Sequence, residues 1–259
     1  MRRLAAIILG VALLAGLALA QQRPIYSIED RRSGFTFLTP ETQALQNDDF
    51  SNPGLLWVDR GEQLWQTAPR NGKSCTSCHG DAARSMRGVA ARYPAFAAEV
   101  GRVINLEQRI NLCRGRQELP PLPYETQDLL ALTAFVSRQS HGIPIDVNIN
   151  GPAAQSFANG RAAYEQRRGQ LDLSCAQCHE ANVGARLRGE VISQGQVNGF
   201  PLYRQIWQTT ASSHRMFAWC NEAVRAEPFA SGSQEYVDLE LYAKWRGRGL
   251  SIEAPAVRR

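Results

Sequence analysis

Two short cysteine motifs constrain the fold of this chain more than any other feature. Residues 75–79 read CTSCH and residues 175–179 read CAQCH, and each matches C-x-x-C-H, the attachment pattern of a c-type haem. Two thiols one helical turn apart form thioethers to the haem, and the adjacent imidazole coordinates the iron. We therefore predict two covalently attached c-type haems. The predicted attachment residues are Cys75, Cys78, Cys175 and Cys178, and the predicted histidine ligands are His79 and His179.

Other cysteine chemistry fits the motifs less well. A redox-active C-x-x-C pair or a zinc site would use the same thiols. A redox pair does not need a histidine after both motifs, and a zinc site needs further ligands close by. The presence of the complete pattern twice favours haem.

The chain also carries an internal repeat. Residues 128–136 and 235–243 align at an offset of 107, and both have the apolar spacing of an amphipathic helix. At the same offset Gly142 meets Gly249, and each glycine is expected to cap the helix before it. A further similarity joins the segments ahead of the two motifs, residues 61–66 and residues 160–165. We expect a mainly α fold with two tandem cytochrome c-like haem domains related by internal duplication.

The two remaining cysteines obey the same offset. Cys113 and Cys220 are 107 positions apart, so each occupies the same place in its repeat. A second axial ligand of haem iron is usually His, Met or a Cys thiolate, and only cysteine is offered at matching positions. We therefore predict Cys113 and Cys220 as axial ligands. The other candidates are Met86 and His141 in the first repeat and His214 and Met216 in the second, and a Cys113–Cys220 disulfide is the alternative use of the thiols.

The N-terminus indicates export. Arg2 and Arg3 precede an apolar stretch that ends in Ala18-Leu19-Ala20, a pattern typical of a signal peptide cleaved near Ala20-Gln21. Loss of the first 20 residues lowers the formal net charge from +5 to +3. The sequence has no basic stripe interleaved with aromatic residues, so it gives no indication of nucleic-acid binding. We expect a periplasmic protein whose mature chain has no membrane span.

Breaks in the pattern suggest domain boundaries. Glycine and proline signals interrupt the helical pattern near residues 144–152. The segment before the first repeat is expected to wrap the first domain or to meet a partner. The predicted organisation is a signal peptide at 1–20, an N-terminal extension at 21–57, a first haem domain at 58–147 and a second, catalytic haem domain at 148–259.

The combined motifs resemble the SoxA family, the dihaem cytochrome subunits of the periplasmic SoxAX complex of bacterial sulfur oxidation. The resemblance rests on the two C-x-x-C-H motifs, the matched later cysteines, and the runs HRMFAWCNEAVRAEP at 214–228 and ELYAKWRGRGL at 240–250. It implies a monohaem partner cytochrome, SoxX, in a heterodimer. The implied reaction is the oxidative joining of thiosulfate to a cysteine of the SoxYZ carrier protein, with two electrons leaving through haem towards a downstream cytochrome c.

The resemblance also implies roles for single residues. The position of Cys220 is that of the family's catalytic sulfur, found as a persulfide while lying on the iron. Arginines line the approach to that sulfur, and their best matches are Arg215 and Arg246. The chain departs from the family in having Met216 where an arginine is expected, with Arg215 beside it.

The repeat itself favours chemistry in the second copy. Arg246 aligns with Gln139, so the first repeat lacks this cation. Thiosulfate is a small dianion, and a guanidinium offers fixed, charged donors to its oxygens. Cys113, without the arginine, is expected to be structural. The alternatives are a solvated surface role for Arg246, a dihaem electron-transfer cytochrome without substrate chemistry, and a dihaem peroxidase, which needs an openable iron face.

Overall fold

Short helices connected by long ordered segments form most of this protein. The computed structural model describes residues 29–70 and 72–259, and within them residues 32–259 form one compact unit. The predicted signal peptide at 1–20 lies outside the described residues. In the described part of the chain, no helix is long and apolar enough to cross a bilayer.

The α-helices alternate with very short strands. The helices are α1 (Pro40–Asn47), α2 (Leu55–Gln66), α3 (Cys75–His79), α4 (Ala82–Ser85), α5 (Leu106–Gly115), α6 (Gln127–Arg138), α7 (Ala154–Glu165), α8 (Cys175–His179), α9 (Ser213–Ala223) and α10 (Gln234–Arg246). The strands are β1 (Ala95–Ala97), β2 (Arg102–Ile104), β3 (Arg186–Leu187), β4 (Glu190–Val191), β5 (Leu202–Arg204), β6 (Thr209–Ala211) and β7 (Ala256–Arg258). The described residues are therefore mainly helical, as predicted.

Two helix crossings organise the core, and each is centred on a glycine. In α2, a Cβ on Gly61 would lie 2.1 Å from the carbonyl oxygen of Ala131 in α6. In α7, a Cβ on Gly160 would lie 1.9 Å from the carbonyl oxygen of Asp238 in α10. Only glycine permits backbones to approach this closely. Ala131 and Asp238 are 107 positions apart, so the two crossings have the same place in the predicted repeat.

Two aromatic side chains pack together in each crossing, one helical turn after the glycine. Trp65 of α2 packs against Phe135 of α6, with ring centroids 5.7 Å apart. Tyr164 of α7 packs against Tyr242 of α10 at 5.2 Å. These four side chains are buried, which explains why an aromatic residue follows the glycine at a helical spacing ahead of both motifs.

Two antiparallel hairpins, β1–β2 and β5–β6, have the same register. Strand β1 pairs antiparallel with β2, with Ala95 opposite Ile104. Strand β5 pairs antiparallel with β6, with Leu202 opposite Ala211, and both positions are 107 residues later. The second hairpin is extended by β7, which runs parallel to β5. Each hairpin leads into the helix that carries a later cysteine, α5 or α9.

Polar caps fix where those helices begin. The Asn105 side chain accepts a hydrogen bond from the backbone N–H of Gln108 at the start of α5. The Ser212 hydroxyl accepts from the backbone N–H groups of His214 and Arg215 at the start of α9. Such caps satisfy N–H groups that have no partner within the helix, so Cys113 and Cys220 are held eight positions after matching caps.

The described part of the predicted extension contacts the C-terminal strand and helix α6: Gln46 of α1 accepts hydrogen bonds from the Val257 backbone and the Arg258 guanidinium, and Asp49 pairs with Arg138. The expectation that a glycine caps each of two helices was wrong. Gly142 and Gly249 do not cap their helices, which end at the caps Gln139 and Gly247. Both glycines instead have positive φ, of 76° and 86°, where the chain turns and pairs with a distant segment.

Candidate active site

Both C-x-x-C-H motifs form a short helix with a serine cap. Ser74 accepts from the backbone N–H of Ser77 at the start of α3, and Ser174 accepts from the backbone N–H of Gln177 at the start of α8. One helical turn brings the two cysteines of each motif to the same side of the helix. The thiols therefore have the arrangement that thioether attachment to one haem requires.

The two motif histidines are oriented by different neighbours. The His79 ring lies 5.5 Å from the Trp65 ring. The Nδ1 atom of His179 lies 2.9 Å from the Ser193 carbonyl oxygen, which makes Nε2 the ring nitrogen suited to iron. Gly195 has a φ of 70°, and a Cβ there would lie 2.7 Å from the His179 ring, so the loop closes directly on this imidazole.

The later cysteines interact with the motif thiols of their own predicted domain; residues 58–147 and 148–259 are called the first half and the second half. Burial raises the pKa of the Cys75 thiol, and the Cys113 thiol raises it further. Burial also raises the pKa of Cys220 to about 12, with a further rise from Cys175 opposed by Arg204. Cys113 is thus paired electrostatically with the first motif and Cys220 with the second.

This donor set fits haem iron. A thiol whose pKa is raised by burial becomes a thiolate only beside a strong positive charge, which a coordinated metal supplies. All six cysteines lie in the described residues, and none forms a disulfide. The residues that would hold the two haems are thus near one another in each half, while the axial roles of Cys113 and Cys220 remain predictions.

The His214 side chain has hydrogen-bonding and stacking partners of its own. It is fully buried, its Nδ1 accepts from the Gly232 backbone N–H at 2.9 Å, and its Nε2 lies 3.1 Å from a carboxylate oxygen of Glu240. Its ring stacks on Tyr124 at 5.5 Å. These contacts give His214 a structural explanation, so the choice of Cys220 over His214 gains support.

The two arginines predicted to bind substrate differ in their surroundings. The Arg215 guanidinium lies 4.5 Å above the Trp207 ring and is partly exposed. The Arg246 side chain is 0% exposed and lies 3.2 Å from a carboxylate oxygen of Glu180. Arg246 also donates to the Gln194 carbonyl oxygen. A solvated surface role for Arg246 is therefore wrong, and its role towards thiosulfate stays a prediction.

Sequence reasoning missed Arg204, a buried cation that packs beside α9. Arg204 ends strand β5, is only 4% exposed, and lies 4.8 Å above the ring of Trp219, the residue before Cys220. The offset of 107 pairs Arg204 with Ala97. Extending the repeat comparison to these positions would have identified a second arginine that the first half lacks.

Comparisons with known proteins agree on one family. A family model described as SoxA/TsdA, cytochrome c domain, matches residues 60–145. The SoxA subunit of L-cysteine S-thiosulfotransferase from Rhodovulum sulfidophilum is 43% identical over 89% of this chain and 81% of its own length. The corresponding subunit from Pseudaminobacter salicylatoxidans is 40% identical over 90% of this chain and 82% of its own length.

The fold is also similar to a solved structure. The crystal structure of SoxXA from P. pantotrophus contains a chain that is 39% identical, with a TM-score of 0.84. The match covers 88% of this chain and 86% of that one. It therefore extends well beyond the region matched by the family model.

Proposed function

The chain belongs to the SoxA family of L-cysteine S-thiosulfotransferase subunits, and from this premise we propose that it joins thiosulfate oxidatively to a cysteine of a SoxYZ-type carrier protein. One observation carries the proposal: Cys220, which is partly buried, interacts with the thiols of a haem-attachment motif and with an arginine. A sulfur nucleophile, a redox cofactor site and a cation for the dianion thus meet in one place.

Two tandem cytochrome c-like domains account for the architecture. Support comes from the hairpin registers and the helix caps, which recur at an offset of 107, and from the two helix crossings, in which Ala131 and Asp238 have the same offset. The proposed boundaries are the predicted ones, 58–147 for the first domain and 148–259 for the second.

Each half is proposed to hold one c-type haem. Thioethers would form at Cys75 and Cys78 in the first half and at Cys175 and Cys178 in the second. The axial pairs would be His79 with Cys113, and His179 with Cys220. A bound haem would accept and pass on one electron at a time.

The chemistry requires a balanced loss of two electrons. The Cys220 thiolate bonds to the outer sulfur of thiosulfate, and two electrons leave. The carrier thiolate then attacks that outer sulfur, the bond to Cys220 breaks, and Cys220 is regenerated. The net change is carrier thiol plus thiosulfate to carrier S-thiosulfonate, one proton and two electrons. In the variant in which Cys220 carries a persulfide, its terminal sulfur performs the same two steps.

Arg215 and Arg246 are proposed to bind the thiosulfate oxygens. A guanidinium stays charged throughout and matches sulfonate-like oxygens in geometry. Neutralising the dianion lowers the cost of bringing it to a buried sulfur.

The proposed setting and partners follow from the relatives. The SoxXA crystal structure supports a heterodimer with a SoxX-like monohaem cytochrome. Electrons would continue from there to a downstream cytochrome c. A periplasmic location agrees with the signal-peptide pattern at residues 1–20.

Thiosulfate-dependent modification of the carrier cysteine tests the proposal. We expect the carrier to gain a thiosulfonate group only when the haem-loaded chain, its monohaem partner and an electron acceptor are all present. Intact-mass analysis separates the alternative, because a plain electron-transfer cytochrome never gains sulfur, whereas a persulfide adds about 32 Da. Electron transfer without carrier modification in the complete mixture would establish the relay instead.

A further inference from the structure

A group of four side chains packs around the start of the second hairpin turn and the middle of α9. We call Arg204, Trp207, Arg215 and Trp219 the cationic aromatic cluster. The Arg204 guanidinium lies 5.3 Å above the Trp207 ring and 4.8 Å above the Trp219 ring. The two tryptophan rings meet edge to face with centroids 6.4 Å apart. Since Arg215 lies 4.5 Å above Trp207, this tryptophan contacts both cations.

Arg204 is an unusually buried cation. Its Nη2 lies 3.3 Å from both carboxylate oxygens of Glu190, whose side chain is 38% exposed. Its Nε is buried and, within the residues that the structure describes, has no hydrogen-bond partner. A buried donor left without a partner costs free energy, so the Nε of Arg204 opposes folding stability.

The cluster packs on the turn of α9 that carries Cys220. Trp219 precedes Cys220 in α9, so the Arg204 contact with Trp219 brings the guanidinium to the backbone turn that carries the thiol. Two arginines and one carboxylate leave one net positive charge, which attracts a dianion.

The first half has none of these features. The matching positions, each 107 residues earlier, are Ala97, Val100, Gln108 and Leu112. The hairpin register is the same in both halves, so the difference lies in the side chains and not in the backbone. A role common to both haems would not explain a cluster present at only one of them.

We propose that Arg204 is a specificity-determining and positioning residue for thiosulfate. It fixes a positive charge beside Cys220 and, through Trp207, holds Arg215 in place for the dianion. Glu190 limits this charge and thereby moderates the affinity. The inference rests on the proposed function and deepens it, since it names the residues that select a dianionic substrate.

Separate substitutions of Arg204 and Glu190 provide the test, because they change the local charge in opposite directions. The experiment uses the haem-loaded heterodimer and measures two quantities: thiosulfate binding by calorimetry without carrier, and the KM and kcat of carrier modification. Loss of a charged hydrogen-bonding group costs about 1.5–3 kcal/mol, so Arg204→Gln should raise Kd and KM roughly tenfold to a hundredfold, with a smaller change in kcat. Glu190→Gln should lower both constants severalfold, because it removes the opposing carboxylate.

Two further variants complete the design. Arg248→Gln is the matched control, since Arg248 lies 4.1 Å above the Trp245 ring outside the cluster, and its Kd should equal that of the wild type. Arg204→Lys keeps the charge and loses the planar fork, so an intermediate Kd is expected. This variant and Glu190→Gln decide the question if Arg204→Gln does not fold.

A purely structural ion pair predicts a different pattern. Both Arg204→Gln and Glu190→Gln would then weaken thiosulfate binding, or neither would change it, and either result would overturn the inference. Failure of the proposed function appears elsewhere, in the wild type, as thiosulfate binding without any modification of the carrier.

Discussion

The first and second halves of this molecule share a backbone plan and differ around their later cysteines. Cys113 and Cys220 follow matching hairpins and matching helix caps. Around Cys220 the second half adds Arg204, Trp207 and Trp219, where the first half has Ala97, Val100 and Leu112. One fold thus supplies the same potential iron ligand twice and places the cationic aromatic cluster at only one copy.

The comparison distinguishes what a cysteine needs to coordinate iron from what it needs to react with a substrate. A cysteine that only coordinates iron needs a haem-attachment motif nearby, and each later cysteine interacts with a thiol of one motif. A cysteine that reacts with a dianion also needs fixed positive charge. The predictions below test whether this division is correct, beginning with the largest effect.

Removing each later cysteine should affect turnover unequally. Cys220→Ala should reduce carrier modification at least about a thousandfold, as expected for loss of a nucleophile. Cys113→Ala should retain measurable turnover because its proposed role is structural. Steady-state rates with thiosulfate and carrier measure both. Retained activity in Cys220→Ala or Cys220→Met would refute the catalytic role.

The two glycine crossings should be equally intolerant of a side chain. Gly61→Ala and Gly160→Ala each place a Cβ about 2 Å from a backbone carbonyl oxygen. Overpacking of this kind costs about 1–3 kcal/mol, and we expect the upper end of that range for both. Denaturant unfolding of the haem-loaded protein measures the loss. A large loss in one variant and none in the other would show that the crossings are not equivalent.

Arg246→Gln makes the second half like the first, which has Gln139. Because Arg246 is 0% exposed and paired with Glu180, the variant should lose about 1–2 kcal/mol of unfolding free energy. If the arginine also binds substrate, the KM for thiosulfate should rise about tenfold, as loss of a charged hydrogen bond predicts. A stability loss with unchanged KM would leave only the structural role.

The smallest expected effect concerns a buried acid between the halves. A cavity of about 20 Å³, room for one water molecule, is lined by side chains of both halves, including Glu107, Glu240 and Lys244. Glu107 and His214 are matching positions. Burial, with repulsion from Glu240 and Glu125, raises the pKa of Glu107 to about 8, while Lys244 opposes the shift.

The sign of the pH dependence follows from this shift. Below pH 4.5 the folded and unfolded states both keep the Glu107 proton, and between pH 4.5 and about 8 only the folded state keeps it. Wild-type stability should therefore fall as pH rises through this window. Glu107→Gln should lose that contribution, so its Tm should fall less between pH 5 and 8, by a few degrees. Thermal unfolding across that range gives the answer, and identical pH profiles would exclude an ionisable Glu107.

Much of the fold was accessible from sequence because it depends on local patterns. The helices expected at 128–136 and 235–243 are confirmed as α6 and α10, and the membership in the SoxA family is confirmed. The packing of α1 on β7 was inaccessible, because it joins Gln46 to Val257 across the whole chain. No local pattern encodes such a contact.

The site was predictable in its cysteines and less so in its cations. A motif of fixed spacing specifies Cys175 and Cys178, and a constant offset then indicates Cys220. Arg246 was predicted to bind thiosulfate, with a solvated surface role as the alternative, and its partner Glu180 comes from another segment. Arg204 contacts Trp219, the neighbour of Cys220, only because a hairpin packs against α9, and this depends on tertiary structure.

Localisation of the transferred sulfur tests the central claim most directly. The haem-loaded heterodimer is treated with thiosulfate and an electron acceptor, without carrier, and its peptides are mapped by mass. Extra sulfur, as persulfide or thiosulfonate, should be found on the peptide that contains Cys220 and be absent from the peptide that contains Cys113. Equal modification of both peptides, or carrier modification that proceeds while Cys220 never gains sulfur, would contradict the division of roles between the two halves.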